Sequence, residues 1–304
     1  MYKQDVEFWR SKGVWYKGNL HTHTTNSDGD LPPIEMIKSY KSNGYDFLAL
    51  TDHDKLTKVE GVLSENILVI HGEEIAFSKY HILGINLNKS IDPAKVINAQ
   101  DVINKIVSQG GIAIIAHPYW SGLNINDFKV LNNYIGIEIF NTSCHYSIGK
   151  GFSLSHWEDI LLAGYRSYGF FNDDSHWHFN EHRPNDACGS WIMVKAQELT
   201  TRNIIGAIKT GNFYASNGPC IENIEVKNGN IYVKCSPVKI INFIGPASSG
   251  ESFTAIQSKT VSEAGHKLKS SENYIRIECI DHEGHYAISN PVFFKEDHQN
   301  TNSI

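Results

Sequence analysis

Asn19-Leu-His-Thr-His-Thr-Thr-Asn-Ser-Asp-Gly holds the densest chemistry in the chain. His21 and His23 stand two apart, and on a strand that spacing sends both imidazoles to one face. Asp28 follows beside Gly29 in a loop. Four more segments repeat the theme: Leu50-Thr-Asp-His53-Asp-Lys, His71-Gly-Glu-Glu-Ile with the nearby Tyr80-His81-Ile-Leu-Gly, Ile114-Ile-Ala-His117-Pro, and Asn172-Asp-Asp174-Ser-His176-Trp. Asp174 and His176 share the spacing of His21 and His23. Glu73 and Glu74 are adjacent, so one faces inward and the other is solvated or supports it from behind. Asp52 and Asp54 flank His53 as carboxylates that could orient it. Each segment alone reads as a polar strand end. Together they place His, Asp or Glu at the ends of five apolar runs, and imidazole and carboxylate are the side chains of metal binding and of acid–base catalysis.

The elements that must position these groups are short. Strands are expected at Val14–Leu20, Phe47–Thr51, Ile67–His71, Tyr80–Leu87, Ile112–Ala116, Ile135–Phe140, Ser167–Phe171 and Ser190–Lys195, each β-branched or aromatic and bounded by Gly, Asn or Asp. Helices are expected between them. Pro33–Asn43 starts on Pro-Pro, Pro93–Gln109 follows Asp92 as a cap, Ser155–Ala163 carries a capping-box pattern to Glu158, and Thr200–Thr210 stops at Gly211. The β-α-β-α rhythm implies parallel strands and crossover helices, with enough units for a barrel. In a barrel the strand ends converge on one rim. After Asn217-Gly218-Pro219 the helical pattern fades. Ile221–Val226, Ile231–Ser236, Lys239–Ile244, Thr260–Ala264, Tyr274–Asp281 and Ser289–Phe294 alternate as half-buried antiparallel strands. The reading is an α/β barrel domain over 1–217, a small all-β sandwich over 218–297 and a polar tail at 298–304.

Several imidazoles and carboxylates on one rim carry a large electrostatic cost unless a cation neutralises it. A nitrogen and oxygen donor set without thiolate suits Zn, Mn or Fe(II), and the number of donors implies two or three divalent ions. The rest of the composition agrees with an ordinary globular protein. The 304 residues include 15 histidines and carry a formal net charge of −6, which argues against an extended nucleic-acid partner. Five cysteines without a C-x-x-C pattern argue against a disulfide framework and fit a reducing, cytoplasmic compartment. No apolar run reaches the roughly 18 residues of a membrane span, and the first twenty residues lack a signal pattern.

His21-x-His23-x4-Asp28-Gly, Leu50-Thr-Asp-His53, Gly72-x-Glu74-Ile, His81-x-Leu-Gly, Ala116-His117-Pro and Asp174-x-His176, in this order, resemble the PHP (polymerase and histidinol phosphatase) family. The resemblance spans about residues 15–215 and implies a distorted (β/α)7 amidohydrolase-like barrel with two or three metals. It implies that His21, His23 and Asp174 bind one metal, and that Glu74 bridges to a second held by His117. Asp28, His53 and His176 would hold a third, and His81 would be a ligand or a phosphate contact. Glu74 is preferred to Glu73 because the family's glutamate precedes an apolar residue, here Ile75. Whether Glu138 or Asn141 in Gly136-Ile-Glu-Ile-Phe-Asn adds a group stays open. Trp15-Tyr-Lys-Gly, Gly211-Asn-Phe-Tyr-Ala-Ser-Asn-Gly-Pro219 and Asn290-Pro291 further resemble the CehA/McbA-like branch, whose members carry an appended β-domain.

The activity this implies is metal-dependent hydrolysis of a small phosphomonoester or phosphodiester, a nucleotide among the candidates, by attack of a metal-bridging hydroxide. His178, His182 and His145 are the candidates for protonating the leaving oxygen, and Arg183 for gripping a phosphate bidentately. A Cys144–His145 nucleophile is disfavoured, because a metal hydroxide makes it unnecessary. His71 and His156 read as structural, and His266, His282, His285 and His298 as surface residues. Trp120 and Trp177 wall the pocket or pack the rim. Two alternatives remain open: a carboxylic or carbamate ester hydrolase on the same metals, and a non-catalytic metal-binding accessory protein. The expected partner is a small phosphorylated substrate, with no membrane and with a homo-oligomer left open.

Overall fold

Runs of β-branched and aromatic residues become strands, and the amphipathic stretches between them become helices. The computed structural model describes residues 3–4, 13–59, 67–257 and 259–295. The expected tail at 298–304, with His298, lies outside the described residues. The chain divides into two compact units. One is Lys12–Ala215; the other joins Met1–Ser11, which carries β1 (Lys3–Gln4), to Ser216–Ile304.

The first unit contains β2 (Val14–Asn19), α1 (Pro33–Ser42), β3 (Phe47–Leu50), β4 (Leu68–Phe77), β5 (Tyr80–Ile85), α2 (Ala99–Ser108) and β6 (Ile112–Ile115). It continues through α3 (Pro118–Ser121), α4 (Ile125–Lys129), β7 (Gly136–Asn141), α5 (Thr142–Ile148), α6 (Leu154–Leu162), β8 (Tyr168–Asn172), β9 (Trp191–Ala196), α7 (Thr201–Lys209) and β10 (Phe213–Ser216). Its strands run β10-β9-β2-β3-β4-β5-β6-β7-β8. β2, β3 and β4 are parallel to one another, as are β6, β7 and β8. All four residues of β3 are buried, as suits a parallel strand covered on both faces. Met36, Ile37 and Tyr40 of α1 pack with Tyr45, Leu48 and Leu50. Each such apolar side chain contributes roughly 1.5–3 kcal/mol when fully buried.

The parallel rhythm breaks at β5, which is antiparallel to β4 and to β6. β4 does not stop at His71. It runs on to Phe77 and turns back through Ser78, whose φ of 56° lies in the left-handed region. The start of β5 therefore lies at the same rim as the end of β4. The strand order is also open: among the described residues no ladder joins β8 to β2. The two meet just beyond their ends, at an isolated parallel bridge between Thr22 and Ser175. His23 N donates to Ser175 O at 2.8 Å, and Asp174 N to His21 O at 3.0 Å. That contact sets the two i, i+2 pairs side by side.

Helix starts differ from expectation where a better cap lies nearby. Asp92 caps only a 3-10 turn, Pro93–Lys95, and the α-helix begins after Asn98, whose side chain accepts from Asp101 N. Ser155 lies inside α6 instead of capping it, because the helix already starts at Leu154. Thr200 caps α7 through Asn203 N as its sequence suggests. No helix among the described residues is long and apolar enough to cross a membrane.

The second unit is antiparallel. β11 (Ile221–Lys227), β12 (Asn230–Val238) and β15 (Val261–Lys267) form one sheet. β16 (Tyr274–Ile280) pairs with β13 (Ile240–Ile244), β17 (Tyr286–Ser289) and β18 (Val292–Lys295), while β13 also pairs with β14 (Gly250–Thr254). The single strand expected at Ser289–Phe294 is split at Asn290-Pro291, because proline has no N–H to give to a ladder. His266, expected at the surface, is buried. Its ring stacks on Phe243 at 5.6 Å, its Nδ1 lies 2.9 Å from Glu251 Oε2 and its Nε2 lies 3.0 Å from Glu272 Oε2. An inward position on β15, with a carboxylate at each nitrogen, makes that burial tolerable.

Candidate metal centre

Glu74 is the hub. Strand alternation points it inward and Glu73 to the opposite face of β4. His81 Nδ1 lies 2.8 Å and His117 Nε2 3.2 Å from Glu74 Oε1. His21 Nε2 at 3.1 Å, His23 Nε2 at 3.2 Å and His53 Nδ1 at 3.1 Å surround Oε2. Asp174 Oδ1 lies 3.1 Å from both His21 Nε2 and His23 Nε2. On the outer side, Asp28 Oδ2 is 3.5 Å from His53 Nε2 and from His176 Nε2. The nine residues come from the ends of β2, β3, β6 and β8 and from the β4–β5 hairpin. That hairpin is the reason Glu74 and His81 meet the others although neither ends a parallel strand.

Three overlapping groups could each hold an ion: His21, His23, Glu74 and Asp174; His23, Asp28, His53 and His176; and His53, Glu74 and His81. Two atoms in the first group test the fit. His21 Nε2 and Glu74 Oε2 are buried and neither has a hydrogen-bond partner, although they lie 3.1 Å apart. Donors bound to one first-row cation at about 2.1 Å sit about 3.0 Å apart at right angles and about 3.4 Å apart at tetrahedral angles. The spacing is that of ligands converging on a shared centre, and the donor set fits a divalent cation. His23 presents Nε2 to Glu74 and Asp174 and keeps Nδ1 toward Asp28, at 3.8 Å. His53 likewise divides its two nitrogens between Glu74 and Asp28.

The supporting groups explain the orientations. Glu138, buried in β7, accepts from His21 Nδ1 at 2.8 Å and from Asn172 Nδ2 at 3.0 Å on one oxygen. Its other oxygen accepts from His117 N and from Asn141 Nδ2, both at 2.9 Å. All four bonds are filled from the protein, so Glu138 fixes His21 with Nε2 facing the cluster. Asn141 Nδ2 also donates to Asp174 Oδ2 at 3.2 Å. Both were the open positions of the sequence, and burial decides their role. Asp52 does not orient His53. It accepts from Thr24 N, Ser27 Oγ and Thr57 Oγ1 and so pins the loop that ends in Asp28. Asp54 accepts from Ala76 N. Glu73 is not solvated: it accepts from Ser90 Oγ at 2.9 Å and Ile91 N at 3.1 Å, and burial raises its carboxyl to about 7.

In the protein alone the histidines and carboxylates must neutralise one another. Burial by itself would lower His176, but its bond to Asp28 and the charge of Asp174 raise it to about 9. Burial opposes the charge of His21, His117 and His53 too, yet all three are raised: the first two by Asp174, Glu138 and Glu74, and His53 by Glu74, Asp28 and Asp174. Burial pushes Glu74 up, yet the surrounding imidazoles hold it well below the usual carboxylate range. The His176 bond holds Asp28 below that range as well.

No family model matches the chain. MJ1587 of Methanocaldococcus jannaschii, an uncharacterised protein, is 31% identical over 146 residues, which are 41% of this chain and 81% of that protein. The chain belongs to one family with MJ1587. A 5′-3′ exoribonuclease of Haemophilus influenzae is 34% identical over 82 residues, 24% of this chain and 30% of its own length. Among solved structures, a two-domain protein of Bacteroides vulgatus described as containing a predicted PHP-like metal-dependent phosphoesterase aligns with a TM-score of 0.51 and 17% identity. The alignment covers 91% of this chain and 95% of that one, so the two share a fold.

In this family member the remaining candidates separate clearly. His178 stacks on His176 at 5.3 Å and lies 3.8 Å from Asp30 Oδ1. His182 does not reach the cluster. Reciprocal bonds between Asn180 and Arg183 make a turn whose tip carries it, 86% exposed, against Glu181. Arg183 Nη2 donates to Ser143 Oγ at 3.1 Å and to the buried Asp186 at 3.2 Å. Asp186 also accepts from Ser175 Oγ and His178 N, so the pair braces the loop that bears His176. Cys144 is buried, and burial together with Asp174 pushes its thiol up, against any thiolate role. The exposed His145 packs near Phe140 and Phe152. His156 Nε2 donates to Leu123 O at 3.1 Å and is structural. Trp177 packs beside the α1 core. Trp120 instead stands edge-on to His117 at 4.9 Å and His81 at 5.6 Å.

Proposed function

We propose that this chain is a PHP-type metal-dependent phosphoesterase acting on a small phosphorylated substrate. The observation that carries the reading is the convergence on Glu74 and Asp174 at cation-sharing distances, where the buried His21 Nε2 and Glu74 Oε2 face each other at 3.1 Å with no hydrogen-bond partner. His21, His23, Glu74 and Asp174 would hold one ion, Glu74, His81 and His117 a second, and Asp28, His53 and His176 a third. Bound there, divalent ions would supply hydroxide at neutral pH and offset charge developing on the ester oxygens. The protein's own part is to fix the donors through Glu138, Asn141 and the Arg183–Asp186 brace, and to present His178 at the rim as a proton donor to the leaving oxygen.

Phosphoester chemistry is supported by two similar proteins, the exoribonuclease and the Bacteroides two-domain protein with its predicted PHP-like phosphoesterase. The segment motifs support a distorted (β/α)7 barrel with an appended β-sandwich in the CehA/McbA-like branch. The cysteine pattern supports a cytoplasmic location. Chromogenic phosphomonoester, phosphodiester and carboxyl-ester substrates, each tested with Mn and with Zn, check the reaction class. Turnover of a phosphoester is expected. Turnover of the carboxyl ester alone would replace the reading with an esterase, and no bound metal on elemental analysis, with no rescue by added Mn, would replace it with an accessory protein.

A further inference from the structure

We infer that Trp120 is the specificity platform of this site, taking the planar aromatic leaving group of an ester whose phosphate is held at the metal cluster. The inference rests on the phosphoesterase reading and deepens it. α3 has only four residues, between His117 and Gly122, whose φ of 67° ends it at once. It is tied to the cluster at its base, where Ser121 Oγ lies 3.1 Å from His117 Nδ1. Trp120 on the same turn stands edge-on to both His117 and His81, the two imidazoles that share Glu74 Oε1. A tryptophan that only shielded those rings would be covered. This one is 44% exposed and leaves indole surface bare beside the cluster. Trp177, by contrast, is half-buried and packs against the core that Met36, Ile37 and Tyr40 build. An exposed indole held rigidly beside charged groups favours a flat π-system over a saturated group of equal size.

The test separates planarity from bulk. Phenylphosphonate and cyclohexylphosphonate have the same number of carbons and cannot be hydrolysed, so their dissociation constants are measured on the metal-loaded protein by calorimetry. The wild type is expected to bind phenylphosphonate about tenfold more tightly. W120A is expected to bind both alike, and W120F to keep most of the preference. Equal binding of both ligands by the wild type, or a preference that survives in W120A, overturns the platform while leaving the phosphoester site standing. Failure of both ligands to bind the metal-loaded wild type overturns the phosphoester reading itself. Circular dichroism and metal content of each variant show whether a lost preference comes from a lost fold.

Discussion

Glu138 decides which nitrogen of His21 faces the cluster. Each of its oxygens accepts two hydrogen bonds, from His21 and Asn172 on one side and from His117 N and Asn141 on the other. A glutamine there would set its amide donors against donors already in place. Glu138→Gln should therefore weaken metal binding by about 10–100-fold; titration of the metal-free protein reads this directly, and wild-type affinity would remove Glu138 from its orienting role. Asp174→Ala and His23→Ala should lose turnover by roughly a hundredfold or more while keeping the circular dichroism of the fold. Retained activity in either variant would displace that residue from the ligand set. The i, i+2 spacing and the apolar runs before them make His21, His23, Asp174 and His176 legible in the sequence. Glu138 is not, because a lone glutamate inside Ile-Glu-Ile reads equally as an exposed strand position until its burial is known.

The β4–β5 hairpin carries Glu74 and His81, and its back face carries Glu73. A β-α-β rhythm was legible across most of the first unit, but the hairpin was not. Its turn, Phe77-Ser-Lys-Tyr80, lacks the Asn-Gly or Asp-Gly signal of a two-residue turn and depends on Ser78 adopting positive φ. The short helices α3 to α5 were missed for a related reason: four to seven residues are too few for a 3.6-residue period to show. Glu73 gives this element a measurable signature. Its carboxyl is raised from an ordinary 4.5 to about 7 by burial, so the folded state holds a proton that the unfolded chain has released. Stability from this group thus falls as pH rises from 4.5 to about 7. Glu73→Gln removes the titration. The melting temperature of the variant minus that of the wild type should grow over that interval, and a constant difference would show that Glu73 is not protonated in the fold.

For the molecule as a whole, the cluster is a demand for positive charge that protons or metal ions can meet. The buried carboxylates Glu74, Glu138 and Asp174 lie against imidazoles raised above their ordinary value, His176 to about 9. In chelator, the stability contributed by His176 is complete below pH 6.5 and is lost as pH rises toward about 9. Metal binding requires the same imidazoles deprotonated, so its contribution grows over the same interval. At free metal a thousandfold above the dissociation constant it adds about 4 kcal/mol. The two dependences oppose each other. The difference in melting temperature between metal-loaded and chelated protein should therefore widen from pH 6.5 to 8.5, mainly because the chelated form weakens. Scanning calorimetry at both pH values, with Mn or with chelator, measures it. A gap that stays constant would mean that metal and protons do not compete for these histidines, and the ligand assignment would fall with it.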